Sequence, residues 1–200
     1  MFTGIISSIG KITRLDQNIL SISTYDEKFK NLKIGTSVAV DGCCLTLISE
    51  VNEILSFQIS EETFRRTTLN KEHCGSVNLE LPLTPSSLMS GHIVQGHVDD
   101  TLKILDIINH QNNTWTFKFE KQNNKFVVDK GSITLNGISL TVVSPRSNDF
   151  SVAIIDETFN KTNLQYLNIN DFVNVEYDII IKYLESLQND NWYRINNKFI

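Results

Sequence analysis

Thirteen residues at positions 37–49, SVAVDGCCLTLIS, recur at 132–144 as SITLNGISLTVVS, at an offset of 95 and with five identities. The same offset lays EETFRRTTL at 61–69 over DETFNKTNL at 156–164, with five identities in nine. One register held twice marks a tandem duplication. With a residue of slippage VNLEL at 77–81 falls on VNVEY at 173–177, and Gly4, Ile5 and Ile6 fall on Gly96, His97 and Val98 at a similar distance. Each copy spans about 90 residues, enough for one small core and no more. The chain therefore folds as two similar units.

Ile, Val and Thr together supply 53 of 200 residues, and β-branched side chains favour half-buried pleated strands. Apolar runs of four to eight residues are bounded by Gly, Asn or Asp. In the first copy the runs at 36–40 and 44–48 flank Asp41-Gly42, and the second copy repeats this around Asn136-Gly137. Asp-Gly and Asn-Gly supply the positive φ angles of a two-residue hairpin turn. Many short strands of this kind predict a mainly β protein with a small closed antiparallel barrel per copy, because closure removes exposed edges. Pro82, Pro85 and a Ser-rich stretch place the boundary within residues 83–91. The readout is a barrel over 1–88, a second over 89–178, and a helix with tail over 179–200. Residues 61–69 and 156–164 carry helix-start chemistry, a Ser or Asp leading into acidic residues, and read as a short helix or turn at a barrel end. In the tail Ile180, Tyr183, Leu184 and Leu187 recur at helical spacing, an apolar stripe to be covered either by the chain's own barrel or by other subunits.

The net charge of -5 has the wrong sign for neutralising phosphates, so nucleic acid and anionic membrane are not expected partners. Cys43, Cys44 and Cys74 show no C-x-x-C spacing, as in a reduced protein, and the start MFTGIISSIG lacks the basic, apolar build of a signal peptide. The expectation is a soluble, cytoplasmic protein. His92 and His97, five apart, face opposite ways on a strand, and no set of three or four ligands at conventional spacing accompanies them, so no metal is expected. Nucleotide-cradling glycine motifs and the G-x-S-x-G elbow are absent from the sequence. What remains is a polar set matched between copies: Ser37 with Ser132, Thr46 with Thr141, Thr63 with Thr158, and Cys44 opposite Ser139. Each alone reads as an ordinary strand hydroxyl or cap. Matched in two copies, they suit a ligand pair that is itself nearly symmetric, two neutral molecules rich in hydrogen-bonding groups.

MFTGII at 1–6, GCCLT at 42–46, ETFRRTTL at 62–69, GHIVQGH at 91–97, KGSI at 130–133 and GISLT at 137–141 together resemble the riboflavin synthase family. The resemblance runs from Met1 to about Leu187. It implies two tandem six-stranded Greek-key barrels, a homotrimer centred on C-terminal helices, and an association with lumazine synthase. It also implies a transferase that needs no cofactor. Two molecules of 6,7-dimethyl-8-ribityllumazine exchange a four-carbon unit, giving riboflavin and 5-amino-6-ribitylamino-2,4-pyrimidinedione.

Carried across, the family's first-barrel pocket falls on Gly4, Ile5 and Ile6, on Cys44, Leu45 and Thr46, and on Gln58, Ile59, Ser60, Glu61, Glu62 and Thr63. Its second-barrel pocket falls on Gly96, His97 and Val98, on Lys130, on Ser139, Leu140 and Thr141, and on Ile155, Asp156, Glu157, Thr158, Phe159 and Asn160. Ser37 and Asp178 match positions linked with proton relay, and Cys44 and His97 match polar residues near the reacting rings. The base is then His97, or Ser37 polarised by Asp178. Two departures stand out: Asp156 replaces a common proline, and Asn136 stands where some members have Asp. A binding protein of the same lineage would lose polar residues from one copy, whereas both copies here keep them. An oligonucleotide-binding barrel would need a basic groove with stacking aromatics, and Trp115 and Trp192 lie outside the repeated motifs.

Overall fold

The computed structural model describes residues 1–70, 75–122 and 125–189. The first copy forms β1 (Ser8–Asp16), β2 (Ile19–Ser23), β3 (Ser37–Val40), β4 (Cys43–Val51), β5 (Ile54–Gln58) and β6 (Ser76–Glu80). The second forms β7 (Asp100–His110), β8 (Thr114–Glu120), β9 (Ser132–Leu135), β10 (Ile138–Val143), β11 (Asp149–Ile155) and β12 (Phe172–Tyr177). Each set closes into an antiparallel barrel, in the order β1-β2-β5-β4-β3-β6 and β10-β11-β8-β7-β12-β9. Lowering each label of the second by six gives the first circuit. The interiors are filled by alternating side chains such as Leu20, Ile22, Leu47 and Phe57 in one barrel and Phe117, Phe119, Leu135 and Phe150 in the other, all fully buried. Period-two alternation puts these on the inner face and leaves the intervening residues outside.

The predicted hairpin turns form: Asp41 and Gly42 have φ of 44° and 76°, Asn136 and Gly137 have 45° and 80°. Both central φ values are positive, the geometry of a type I′ turn. The two turns also meet each other. A Cβ on Gly42 would lie 2.7 Å from the Gly137 nitrogen, so the approach admits only glycine. Around this contact runs a buried amide network related by the duplication. Asp41 Oδ1 accepts from the Asn78 amide at 2.7 Å and from Asn163 Nδ2 at 3.0 Å, while Asn136 Oδ1 accepts from the Asn174 amide at 2.8 Å. Asn78 Nδ2 donates to the Asn136 carbonyl and Asn174 Nδ2 to that of Asp41, each at 2.9 Å, which ties barrel to barrel. Burial pushes the Asp41 carboxyl up to about 8. The Asn136 departure thus falls in the seam between the barrels.

The 61–69 and 156–164 segments each open with a helical turn, α1 (Glu61–Arg66) and α2 (Asp156–Lys161). Ser60 Oγ caps α1 by accepting from the Thr63 amide at 3.1 Å. The expected Asp cap in the second copy is corrected: Ile155 occupies the cap position with no side-chain bond, and Asp156 is the first helical residue. That position favours proline for its fixed φ and an acid for its charge at the helix N-terminus, so an Asp there is a compatible replacement. Residues 81–99 are not a bare connector, because Phe2 and Val94 pair as a bridge through two backbone hydrogen bonds of 2.7 and 3.1 Å.

The tail forms α3 (Ile179–Asn189). Lys182 pairs with Asp99 at 2.6 Å and Glu185 with Lys125 at 2.6 Å, so one side of the helix is fastened to the second barrel. The opposite stripe is left open: Ile180, Tyr183, Leu184 and Leu187 are 57–63% exposed. Packing of this stripe on the chain's own barrel, one of the two expected coverings, does not occur. Among the described residues no helix is long and apolar enough to cross a membrane. Cys43 is buried and Cys44 half-buried, on opposite faces of β4, while Cys74, Trp192 and the tail beyond residue 189 lie outside the described residues.

Candidate functional site: two matched cups joined by exchanged segments

On the first barrel a cavity of about 1070 Å³ opens between the middle of β4, the end of β5 and α1. Five of the residues expected there line it, Thr46, Gln58, Ile59, Ser60 and Glu61. Five that sequence reasoning passed over join them, Gln17, Asn18, Ile48, Phe64 and Asn70. Gln17 and Asn18 sit in the β1–β2 turn, which the barrel circuit brings beside β5: the Ile59 amide donates to the Asn18 carbonyl at 2.8 Å. Thr46 faces Ser37 across the β3–β4 ladder, and Thr141 faces Ser132 across β9–β10, so each hydroxyl pair of the duplicated set is one cross-strand pair. Thr63 lies beside the cap, its Oγ1 3.0 Å from Ser60 Oγ. Glu62 is committed to Arg65 and Arg66 on the exposed side of α1.

The second barrel builds the matching end from Ser139, Leu140 and Thr141 on β10, Ile155 at the end of β11, and Asp156, Glu157, Thr158, Phe159 and Asn160 on α2. Lys130, at a φ of 61°, donates its backbone amide to the Val142 carbonyl at 3.0 Å, which lays it alongside β10 next to Thr141. Leu45 and Leu140, by contrast, are buried and point into the barrel cores. Glu157 pairs outward with Lys161 at 2.5 Å.

The grouping of the glycine segments is reversed in the structure. Gly4, expected with the first barrel, lies against the second: the Ser139 amide donates to the Gly4 carbonyl at 2.8 Å, and Ile6 packs on the second core. Gly96, expected with the second barrel, lies against the first: the Cys44 amide donates to the Gly96 carbonyl at 2.8 Å, and Val98 packs on the first core. Each segment leads into a strand of its own barrel, and before entering it crosses to the other. Sequence alignment groups residues by copy and cannot register such an exchange.

Two buried carboxylates hold the crossed segments. Glu80, ending β6, accepts from the Thr3 amide and hydroxyl at 2.7 and 2.9 Å and from the Gly4 amide at 3.0 Å. Glu176, on β12, accepts from the amides of Gln95, Gly96 and His97 at 2.7, 2.8 and 2.9 Å. Burial raises both carboxyls above their ordinary value, and the amide bonds work against that rise. His97, held by its backbone amide on Glu176, is exposed and follows Gly96, whose carbonyl meets Cys44. Ile5, next to Gly4 in the crossed segment, is 49% exposed.

His92 supplies what the sequence reading missed. Its Nδ1 is 2.7 Å from Ser139 Oγ and its Nε2 3.1 Å from Thr134 Oγ1. Burial lowers its pKa, and the charge of Asp178 partly offsets this. A neutral imidazole between two hydroxyls can take a proton at one nitrogen and give one at the other. The signal lies in the GHIVQGH motif, where the spacing of His92 and His97 speaks only to a shared metal and not to the hydroxyls that His92 meets. Asp178 caps α3 by accepting from the Ile180 amide at 2.9 Å. Within one chain Ser37 and Cys44 belong to the first barrel, whereas Asp178, His92 and Ser139 gather at the second.

Two closed barrels of one topology, each carrying the matched polar residues of the duplicated set at its end, define a tandem lumazine-binding protein. A model described as the lumazine binding domain matches twice, at residues 3–82 and 95–178. The riboflavin synthase of Actinobacillus pleuropneumoniae is 38% identical over 92% of this chain and 88% of its own, and that of Chlamydia pneumoniae is 36% identical over 91% and 92%. The chain belongs to the riboflavin synthase family. Its fold also matches crystal structures of LumP complexed with riboflavin and with 6,7-dimethyl-8-(1'-D-ribityl) lumazine, at TM-scores of 0.81 and 0.79, with 22% identity over 88% of this chain and 99% and 98% of those.

Proposed function

We propose that the chain is a riboflavin synthase that converts two molecules of 6,7-dimethyl-8-ribityllumazine into riboflavin and 5-amino-6-ribitylamino-2,4-pyrimidinedione. The observation that carries this reading is the pair of matched cups, which offers two similar sites to two identical substrates. Family membership supports the same reaction. The C7 methyl of the lumazine is acidic because its anion delocalises into the ring, so the protein's main tasks are to hold two rings face to face and to move protons.

In this reading the first cup binds one lumazine through Thr46, Gln58, Ile59, Ser60, Glu61 and Thr63, with Gly96, His97 and Val98 closing over it beside Cys44. The second cup binds the other through Ser139, Thr141, Lys130 and the 155–160 segment, with Gly4, Ile5 and Ile6 closing over it. His92 and Ser139 form the proton relay of the second cup, electrostatically backed by Asp178; Ser37, Cys44 and His97 serve the first. The apolar stripe of α3 supports a homotrimer in which the first cup of one subunit meets the second cup of its neighbour, bringing Ser37 toward a partner's Asp178. We divide the chain at 88/89 and 178/179 into two barrels and a trimerisation helix. We place the enzyme in the cytoplasm, with lumazine synthase as its supplier and associate.

Incubation of the purified protein with the lumazine alone tests this. Riboflavin should form at one molecule per two lumazines consumed, with undiminished rate in EDTA. Folded protein that binds the lumazine without turnover would make it a binding protein and overturn the enzyme reading.

A further inference from the structure

The two cups differ at one matched position. In the first barrel Ile59 is hydrogen-bonded to Asn18; in the second its counterpart Ile154 pairs with Trp115. The correspondence is independently fixed two residues on, where the core residues Leu20 and Phe117 pair with Phe57 and Val152, themselves 95 apart. Asn18 is thus the first-barrel counterpart of Trp115, and Phe64 on α1 is the counterpart of Phe159 on α2. The surroundings are not equivalent. Asn18 and Phe64 stand on the wall of an open cavity of about 1070 Å³. Trp115 and Phe159 instead lie ring on ring, with centroids 3.9 Å apart and planes 6° from parallel. Phe117, on the same face of β8, tilts against Phe159 from below at 6.4 Å.

The second hairpin is also the longer one. β7 and β8 have eleven and seven residues, against nine and five for β1 and β2, so β8 begins higher at the barrel mouth and carries Trp115 there. A bicyclic indole is flat and close in size to a pteridine. It sits on Phe159 where the first cup leaves Phe64 open.

We propose that Trp115 is a built-in occupant of the second cup, and that a lumazine or flavin ring enters that cup only by displacing the indole from Phe159. The first cup then fills first and the second fills more weakly. This inference rests on the cups being lumazine and flavin sites, and it names the residue that makes them unequal. Loss of the stack subtracts from the affinity of the second cup alone.

Calorimetric titration of the full chain with riboflavin tests it, together with fluorine NMR of 5-fluorotryptophan protein in a Trp192→Phe background, where Trp115 is the one remaining label. Two classes of site at least tenfold apart are expected, with the Trp115 resonance moving only as the weaker class fills. Trp115→Asn, which installs the first-barrel residue, should tighten the weak class to within threefold of the strong one. The reciprocal Asn18→Trp should weaken the strong class about tenfold, and this variant keeps the test decisive if Trp115→Asn fails to fold. A single class of equal sites in the unsubstituted protein, or a weak class that Trp115→Asn weakens further, overturns the inference while leaving the ligand reading intact. No riboflavin binding at all overturns the ligand reading, and the inference with it.

Discussion

Replacing Gly96 by alanine separates the two costs that the crossed segment imposes. Gly96 has a φ of +81°, and an added Cβ would stand 2.5 Å from Cys44 Cβ and 2.9 Å from the Cys44 nitrogen. The backbone term for a non-glycine residue at such a φ is roughly 1 kcal/mol. Carbon pairs prefer separations of about 3.5 to 4.0 Å, so the segment must retreat by roughly 1 Å from β4. That retreat opens the 2.8 Å hydrogen bond from the Cys44 amide, worth about 1 kcal/mol net, and adds overpacking strain of about 1 to 3 kcal/mol. The expected loss is therefore about 3 to 5 kcal/mol. Gly35 is the control: its φ is +91° and nothing lies within 4 Å of its added Cβ, so Gly35→Ala should cost only roughly 1 kcal/mol. Urea midpoints of the two variants, measured beside riboflavin binding, should differ by about 2 kcal/mol or more in free energy, and only Gly96→Ala should lose ligand affinity. If Gly96→Ala is no less stable than Gly35→Ala and binds riboflavin normally, the segment does not dock on Cys44 as described.

Four further outcomes follow from other parts of the molecule. Asp41 is raised from 3.8 to about 8 in the folded state, so the native chain keeps a proton that the unfolded chain releases; stability should fall as pH rises through that window. Glu80 and Glu176 act in the same direction, and Asp41→Asn, which copies Asn136, should flatten the slope of denaturation midpoint between pH 5 and 8. His92→Ala removes the imidazole from Ser139 and should lower kcat by about 100-fold, in the range of lost acid-base catalysis, with folding checked by circular dichroism. Deletion from Ile181 onward removes a stripe whose side chains contribute roughly 1.5 to 3 kcal/mol each when buried, and sedimentation should show smaller, folded particles. Inactivating changes at Thr46 in one chain and Thr141 in another should complement when the two variants are refolded together, and no gain despite mixed oligomers would exclude a site shared between subunits.

The repeat, the β-branched composition and the two turns at Asp41-Gly42 and Asn136-Gly137 were enough to read two small antiparallel barrels from sequence. These are local or periodic properties: alternation selects the inner face, and a positive-φ dipeptide selects the hairpin wherever it occurs. Part of the cup was legible too: Thr46 and Glu61 sit on the duplicated segments, and Gln58 to Ser60, between them, were implied by the family resemblance. Tertiary structure alone decided how the copies meet. The exchange of Gly4 and Gly96 depends on Glu80 and Glu176 accepting amides from segments about 80 residues away, a pairing that carries no periodic signal. The partnership of His92 with Ser139, and of Trp115 with Phe159, likewise arises from residues 47 and 44 positions apart brought together by barrel closure and a helix across its mouth. Local sequence determines which strand a residue joins and which way it faces, but which groups meet across the seam and the mouths is settled by long-range packing, where a buried carboxylate or imidazole must find partners or pay its desolvation cost.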